Sequence, residues 1–161
     1  MEESIGTITV GGQTHSVHAA QLAIVRRTGM LGEFCYLTLS AATASGDEGV
    51  CFHIDGLGMK PGTRLANLAG GRIDVDMARA GADDTLSVWN EEILEGSAWS
   101  IPDDSEEGGG LWMFKSLRLE FAERGAGVWR VRMKCSLENV VDERSLDAAA
   151  EFEVEASEEE E

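Results

Sequence analysis

The chain has 161 residues, 43% of them hydrophobic, so it is long enough to fold as one domain around a single core. It carries 30 acidic and 13 basic residues, a formal net charge of −17. This charge disfavours nucleic acid and anionic membranes as partners because both would be repelled. It is compatible with a basic protein partner, a bound cation, or adaptation to a salty cell interior.

The sequence also bears on the compartment. No apolar run approaches the roughly 20 residues that span a bilayer, and the start, MEESIGTITV, has no signal-peptide pattern. A mature secreted chain would look the same. Three cysteines, Cys35, Cys51 and Cys135, are an odd number without a CxxC spacing, which favours reduced thiols in a cytoplasmic protein over disulfides or a zinc site.

In the first two thirds of the chain, apolar residues recur with a period of two and are separated by turn residues, which predicts short β-strands. Residues 4–10 precede Gly11-Gly12, a hairpin signal. Residues 16–26 fit a strand or, less well, a short helix. The other strands predicted here are residues 34–41, 50–55, 71–77, 85–90 and 97–101.

The last third begins with an acidic, glycine-rich loop at residues 102–110. Residues 111–122 and 128–137 predict a long hairpin, and residues 150–156 a final strand. The connection 139–149 has weak helical character. We expect a single β domain over residues 1–156, a disordered acidic tail over 157–161, and an all-β fold: an antiparallel β-sandwich or barrel with at most one or two short helices.

Two predicted strands carry complementary charges that alternate with apolar residues. An antiparallel pairing would place these side chains opposite one another: Arg130 and Glu155, Arg132 and Glu153, Lys134 and Glu151, Val131 and Val154, Met133 and Phe152. Such pairs contribute roughly 0.2–1 kcal/mol each, so they select the register more than they stabilise the fold. The alternative is that the cations form a docking face for an acidic partner.

Cys51, His53 and Asp55 alternate with Val50, Phe52 and Ile54, so they share one face of a strand. These residue types invite comparison with a nucleophile, its base and an orienting carboxylate. Residues two apart on a strand are separated by roughly 6.6–7 Å, whereas a nucleophile and its base need about 3 Å. We therefore predict no catalytic residues and expect ordinary packing.

Metal sites are the next candidates. His15 and His18 have helical ligand spacing, but a strand would place them on opposite faces. Four carboxylates of the acidic loop could chelate calcium together with Asp83 and Asp84 of another loop; they are Asp103, Asp104, Glu106 and Glu107. No other cofactor is predicted. The alternative for the acidic loop is a solvated surface.

Residues Leu111, Trp112, Met113 and Phe114 are apolar at both strand parities. Three explanations fit: a bulge near Lys115, burial of this strand end on both sides, or an interface with a partner or second subunit. Trp129 has core parity. The other tryptophans, Trp89, Trp99 and Trp112, could alternatively include a sugar-stacking platform.

These features favour a non-enzymatic interaction module that binds a protein partner or itself. The alternatives are an acidic inhibitor or immunity-type protein that neutralises a basic enzyme, a calcium-dependent binding module, and a hydrolase built on Cys51 and His53.

Overall fold

The computed structural model describes residues 4–30, 32–43, 50–59, 62–76, 98–100, 111–125, 127–139 and 144–160. Within them the chain forms nine β-strands and one short 3-10 helix, Leu65–Leu68. In chain order the strands are β1 (Gly6–Val10), β2 (Gln13–Gly29), β3 (Gly32–Thr43), β4 (Cys51–Met59), β5 (Arg72–Asp76), β6 (Ala98–Ser100), β7 (Leu111–Gly125), β8 (Val128–Asn139) and β9 (Ser145–Glu160). The fold class is all-β, as predicted from the alternating sequence pattern.

All nine strands belong to one sheet, in the order β5-β7-β6-β4-β3-β2-β1-β9-β8. Additional pairings of β7 with β8 and of β2 with β9 make the sheet curl around one core. The pairing of β2 with β9 is parallel, and the other pairings are antiparallel. The sheet is not closed into a regular barrel, because among the described strands β4 and β7 are joined only through the three residues of β6.

The first hairpin forms where the two glycines predict it. Gly11 and Gly12 have φ angles of 55° and 85°, the left-handed values that a two-residue type I′ turn requires at both central positions. At the other end of β1, Gly6 lies against β9 so closely that a Cβ there would overlap Glu151 O and Phe152 Cα. A residue without a side chain therefore lets β1 fit between β2 and β9.

The core is formed by the inward residues of the curled sheet and has an aromatic cluster at its centre. Phe52 and Trp99 are stacked with ring centroids 4.8 Å apart, and Phe152 lies 6.2 Å from Phe52. Trp99 and Trp129 are 0% and 1% exposed. Rings of this size dominate core energetics because each buries about 150–250 Å².

The C-terminal residues differ from the sequence-based prediction. The predicted disordered tail is wrong for residues 157–160, which continue β9 and pair with residues 23–26 of β2. Arg26 Nη1 and Arg64 Nη1 lie 3.7 and 3.9 Å from the Glu158 carboxylate, and Arg26 Nη2 lies 3.4 Å from Glu160. These cations and the pairing with β2 hold a glutamate run that composition alone assigns to a tail.

The weak helix predicted for residues 139–149 is also wrong in its described part, since Asn139 ends β8 and Ser145 begins β9. Residues 16–26 are strand rather than helix. The strand predicted at 85–90 lies outside the described residues. No helix in the described part of the chain is long and apolar enough to cross a membrane.

Candidate functional site: two depressions on the outer face of the sheet

The charged strands β8 and β9 pair in antiparallel fashion, as predicted, but in a register that differs by two residues. Arg130 lies opposite Glu153 and Arg132 opposite Glu151, whereas Lys134 lies opposite Ala149. The apolar partners shift in the same way, to Val131–Phe152 and Met133–Ala150. A slip of two keeps every side chain on its predicted face. Glu155 therefore lies opposite Val128 rather than Arg130.

Ion pairs follow this register. Arg130 Nη1 and Nη2 lie 3.4 Å from Glu151 Oε1 and 3.7 Å from Glu153 Oε1, and Arg132 Nε lies 3.6 Å from Glu151 Oε2. The charge pattern continues onto two further strands that the sequence analysis had not included in it. Arg132 is opposite Glu120 of β7, and Glu120 is opposite Arg72 of β5. The outer face thus carries a row of alternating charges across four strands.

The first depression, called the histidine depression, has a volume of about 850 Å³. Its polar lining comes from β2, β3, β4 and β9: His18, Gln21, Ser40, Cys51, His53, Glu153 and Glu155. Small side chains, Ala19 and Ala42 among them, complete it. The cross-strand pairs Gln21–Ser40, Ser40–His53 and Ala42–Cys51 place these residues side by side on the outer face.

The predicted alternation of β4 is confirmed around this depression. Phe52 and Ile54 are buried, Cys51 is half-buried and His53 is exposed. Cys51 and His53 are two residues apart on one strand, with Ala42 and Ser40 as their respective neighbours on β3. Alternate residues of a strand are roughly 6.6–7 Å apart along the backbone, so the strand geometry alone does not bring the thiol and the imidazole into contact.

His18 occupies a β-bulge, where the pairing register of β2 with β3 shifts between Val17 and Ala19. Its Nδ1 atom is buried and has no hydrogen-bond partner among the described residues. Buried polar atoms usually have a hydrogen-bond partner. A molecule bound in the depression could supply the partner that this nitrogen lacks. The bulge itself has no signal in the sequence.

The second depression, called the cationic depression, has a volume of about 370 Å³. Its polar lining is Thr7 and Thr9 of β1, Arg118 and Glu120 of β7, Arg132 and Lys134 of β8, and Glu151 of β9. Arg118 Nε donates to Asp74 Oδ1 at 2.7 Å, and this hydrogen bond raises the pKa of the guanidinium. Sequence reasoning missed Arg118, although its alternation with Leu117 and Leu119 placed it on the outer face.

Of the candidate metal ligands, the structure describes only the two histidines, His15 and His18. His15 of β2 lies opposite Ile8 of β1, and His18 lies further along β2, at the bulge. The residues predicted for calcium, Asp103, Asp104, Glu106 and Glu107, lie outside the described residues, as do Asp83 and Asp84. Within the described ranges, no group of three or more histidine, cysteine, aspartate or glutamate side chains could hold a metal ion.

The predicted interface at residues 111–114 is wrong for two of its side chains. Trp112 and Phe114 are each 5% exposed and belong to the core, while Met113 is half-buried. The register of β7 with β8 shifts between Phe114 and Ser116, which confirms a bulge near Lys115. The bulge explains why the buried positions change from Trp112 and Phe114 to Leu117. The sugar platform is excluded for Trp99 and Trp112, both buried; Trp89 and the side chain of Leu111 lie outside the description.

Comparison of the chain with known proteins finds no matching family model, curated protein or solved structure.

Proposed function

We propose that the protein is a non-enzymatic binding module that receives a positively charged, extended segment of a partner protein in the histidine depression. The proposal rests on one observation: beside Glu153 and Glu155, the sheet has an opening between β2 and β9. β1 separates β2 from β9 as far as Val17 and Phe152, and β2 pairs directly with β9 only from Leu22 and Ala156 onwards. The depression lies where the two strands converge.

The backbone at this opening suits an extended ligand. Residues 18–21 of β2 lack a strand partner on the side of β9, as far as the described residues go. Unpaired backbone groups along a strand are a template for an added strand, and main-chain hydrogen bonds provide much of the affinity in that mode of recognition. Small side chains at Ala19 and Ala42 leave room for a second backbone above the sheet.

The charge at the opening favours a basic segment. Glu153 Oε1 lies 3.7 Å from both Arg124 Nε and Arg130 Nη2, while Glu155 is exposed and has no ion pair in the described part of the chain. The net charge of −17 adds long-range attraction for a cationic partner, which raises the association rate. His18 Nδ1 can accept a hydrogen bond from an arginine or lysine when the ring proton is on Nε2.

The thiols agree with a reducing compartment. None of the three cysteines, Cys35, Cys51 and Cys135, is in a disulfide, and two of them are buried. We therefore place this activity in the cytoplasm.

The test is a titration with a fluorescent peptide of alternating arginine and valine, followed by anisotropy at low and at high salt. Any basic peptide will be attracted to so acidic a protein, so control variants are needed to distinguish specific binding from nonspecific attraction. We expect Glu155→Gln to weaken binding severalfold. Glu123→Gln, which makes the same charge change at an exposed position on β7, should leave the affinity almost unchanged.

A second variant tests shape without changing charge. Ala42→Leu would fill the depression, and we expect it to reduce peptide affinity at least as strongly as Glu155→Gln. Unchanged circular dichroism would show that the fold is intact. Equal effects of Glu155→Gln and Glu123→Gln, together with no effect of Ala42→Leu, would contradict the proposal and indicate nonspecific attraction.

A further inference from the structure

The cationic depression places two cations opposite each other, and only Arg118 forms an ion pair within the described residues. Arg118 of β7 lies directly opposite Lys134 of β8, and like charges in this position destabilise a sheet. On its other side Lys134 faces Ala149 of β9, an uncharged residue. Lys134 is exposed and makes no ion pair with any described residue.

Two of the nearby carboxylates, Asp74 and Glu151, form ion pairs with arginines. Asp74 lies 2.7 Å from Arg118 Nε and 2.8 Å from Arg72 Nε. Glu151 lies between Arg130 and Arg132, at 3.4 and 3.6 Å. Glu120 lies opposite Arg132 on one side and Arg72 on the other. Arg118 and Lys134 both line the depression, and a guanidinium or an ammonium can donate several hydrogen bonds.

Hydroxyl groups border the same depression on the side of β1. Thr7 is opposite Glu151, and Thr9 is opposite Ala149. Thr9 Oγ1 lies 3.1 Å from Thr14 Oγ1, so its orientation is already restricted by a hydrogen bond. Because Ala149 has only a methyl group, it leaves open space between the hydroxyls of β1 and the cations of β7 and β8.

We propose that the cationic depression binds a tetrahedral oxyanion of the phosphate class, either free or as the phosphate group of a small ester. Lys134 supplies a point charge, Arg118 and Arg132 supply planar N–H donors, and Thr7 and Thr9 supply hydroxyl donors. Arginine and lysine together are common in phosphate recognition because both remain charged and donate several hydrogen bonds. The volume of about 370 Å³ lies in the range of small-molecule sites.

This site is independent of the proposed peptide-binding function. It lies on β1, β7, β8 and residues 149–151 of β9, whereas the histidine depression lies mainly on β2, β3, β4 and residues 153–155 of β9, so the two share no lining residue. It also shows where an acidic chain can bind an anion: at the point where the carboxylate ladder of β9 is interrupted by Ala149.

The experiment is calorimetric titration of the full chain with inorganic phosphate and, separately, with glycerol phosphate. Ionic strength is held constant with sodium chloride, because added salt alone stabilises a protein of charge −17 by screening its self-repulsion. We expect saturable binding of at least one of the two. Tighter binding of glycerol phosphate would show that the site is specific for phosphate esters. Equal binding of the two would show that it recognises the oxyanion alone.

Two variants and their matched controls locate the binding. Lys134→Gln should raise the dissociation constant about tenfold, because a hydrogen bond to a charged group is lost. Arg27→Gln, the same charge change at an exposed position on β2, should leave it within about twofold. Thr7→Val removes a hydroxyl without changing charge and should weaken binding severalfold. Thr28→Val is its control.

Lys134 and Thr7 are exposed strand residues, so these variants should fold, and their thermal transitions without phosphate provide the check. The proposal is overturned if the titration with phosphate shows no saturable binding heat beyond that of a titration with chloride at equal ionic strength. It is also overturned if Lys134→Gln and Arg27→Gln reduce binding equally, which would indicate an adventitious ion only.

Discussion

The two halves of β9 are both rich in glutamate but are held in the molecule by different forces. Residues 145–155 pair with β8 in antiparallel fashion, and residues 148–152 also pair with β1 on the other side. Alternate side chains of this segment, including Phe152 and Val154, are buried. Residues 156–160 pair with β2 in parallel, and four of these five residues are exposed. Glu158 there accepts a hydrogen bond from Leu65 N–H at 3.1 Å and faces Arg26 and Arg64.

The contrast shows that the side chains of a glutamate-rich strand stabilise it only where the residues between the glutamates are buried in the core. In the first half, apolar burial provides the stabilisation and the carboxylates only set the charge pattern. In the second half, Ser157 and Glu159 provide no apolar side chain, so the strand depends on its backbone pairing and on two arginines. The halves should therefore respond differently to core substitutions and to salt.

The largest effect is expected from Phe152→Ala in the first half. Phe152 is 1% exposed and packs near Phe52, so truncation leaves a cavity and should lower the free energy of unfolding by about 3–5 kcal/mol. Urea denaturation monitored by tryptophan fluorescence measures the change. Glu159→Ala in the second half is the control and should change stability by less than about 0.5 kcal/mol. Similar losses for both variants would remove the distinction between the halves.

The next effect concerns Cys135, whose Sγ donates to Ala148 O of the first half at 3.6 Å. Burial raises the pKa of this thiol from 9.0 to about 12, with a contribution from the negative charge of Asp147. The neutral thiol therefore stabilises the fold fully below pH 9, and the stabilisation is lost as the pH rises towards 12. The unfolded chain ionises first, so stability should fall by about 1.4 kcal/mol per pH unit in this window.

Equilibrium denaturation at pH 8 and at pH 10.5, with the wild type and Cys135→Val compared at each pH, measures this contribution. The variant lacks the ionisable group, so it should lose less stability over the interval. Parallel losses in the two proteins would show that Cys135 is not responsible. Because the two proteins differ only at this residue, any other effect of high pH is common to both and cancels in the comparison.

A smaller effect is expected from Arg26→Gln in the second half. The Arg26 side chain is 11% exposed and faces both Glu158 and Glu160, so its loss should cost about 1 kcal/mol, more than a typical surface pair. Hydrogen exchange at residues 156–160 should accelerate, while exchange at residues 148–154 stays unchanged. Arg27→Gln, at the neighbouring exposed position, is the control. Uniform acceleration along β9 would contradict a local role for Arg26.

The smallest effect is expected within the charge ladder of the first half. Arg130 and Glu153 are opposite each other, and their side chains are 38% and 44% exposed. A double-mutant cycle with Arg130→Ala and Glu153→Ala should give a coupling energy of about 0.2–1 kcal/mol, lower in 1 M salt. A coupling energy above about 2 kcal/mol would show that the ladder stabilises the fold rather than selecting its register.

The sequence predicts the strands well and their register less well. Alternation identifies which residues of β8 and β9 face the core, because a strand has a period of two. It cannot separate registers that differ by two residues, since each keeps the same faces. The choice depends on neighbours that the ladder alone does not reveal: Gly6, which lets β1 lie against Glu151 and Phe152, and Glu120, which faces Arg132 from β7.

Sites formed by distant strands were harder to predict. His18, Cys51 and Glu155 line one depression only because β2 and β9 converge there, and the bulge at His18 follows no sequence rule. Thr7 comes from β1, far along the chain from Arg118 and Lys134 of the β7–β8 hairpin. The burial of Trp112 and Phe114 on one face required the bulge beside Lys115, which the mixed parity indicated without deciding between a bulge and an interface.

The parallel pairing of β2 with β9 has a consequence for how the chain is synthesised. The partners Arg26 and Glu160 are separated by 134 positions, so this seam can form only after all the strands between them have been synthesised. Until then Leu22, Ile24 and their neighbours present an apolar strand edge, the kind of surface that promotes aggregation. Translation speed and chaperone supply should therefore influence the yield of folded protein more than its final stability.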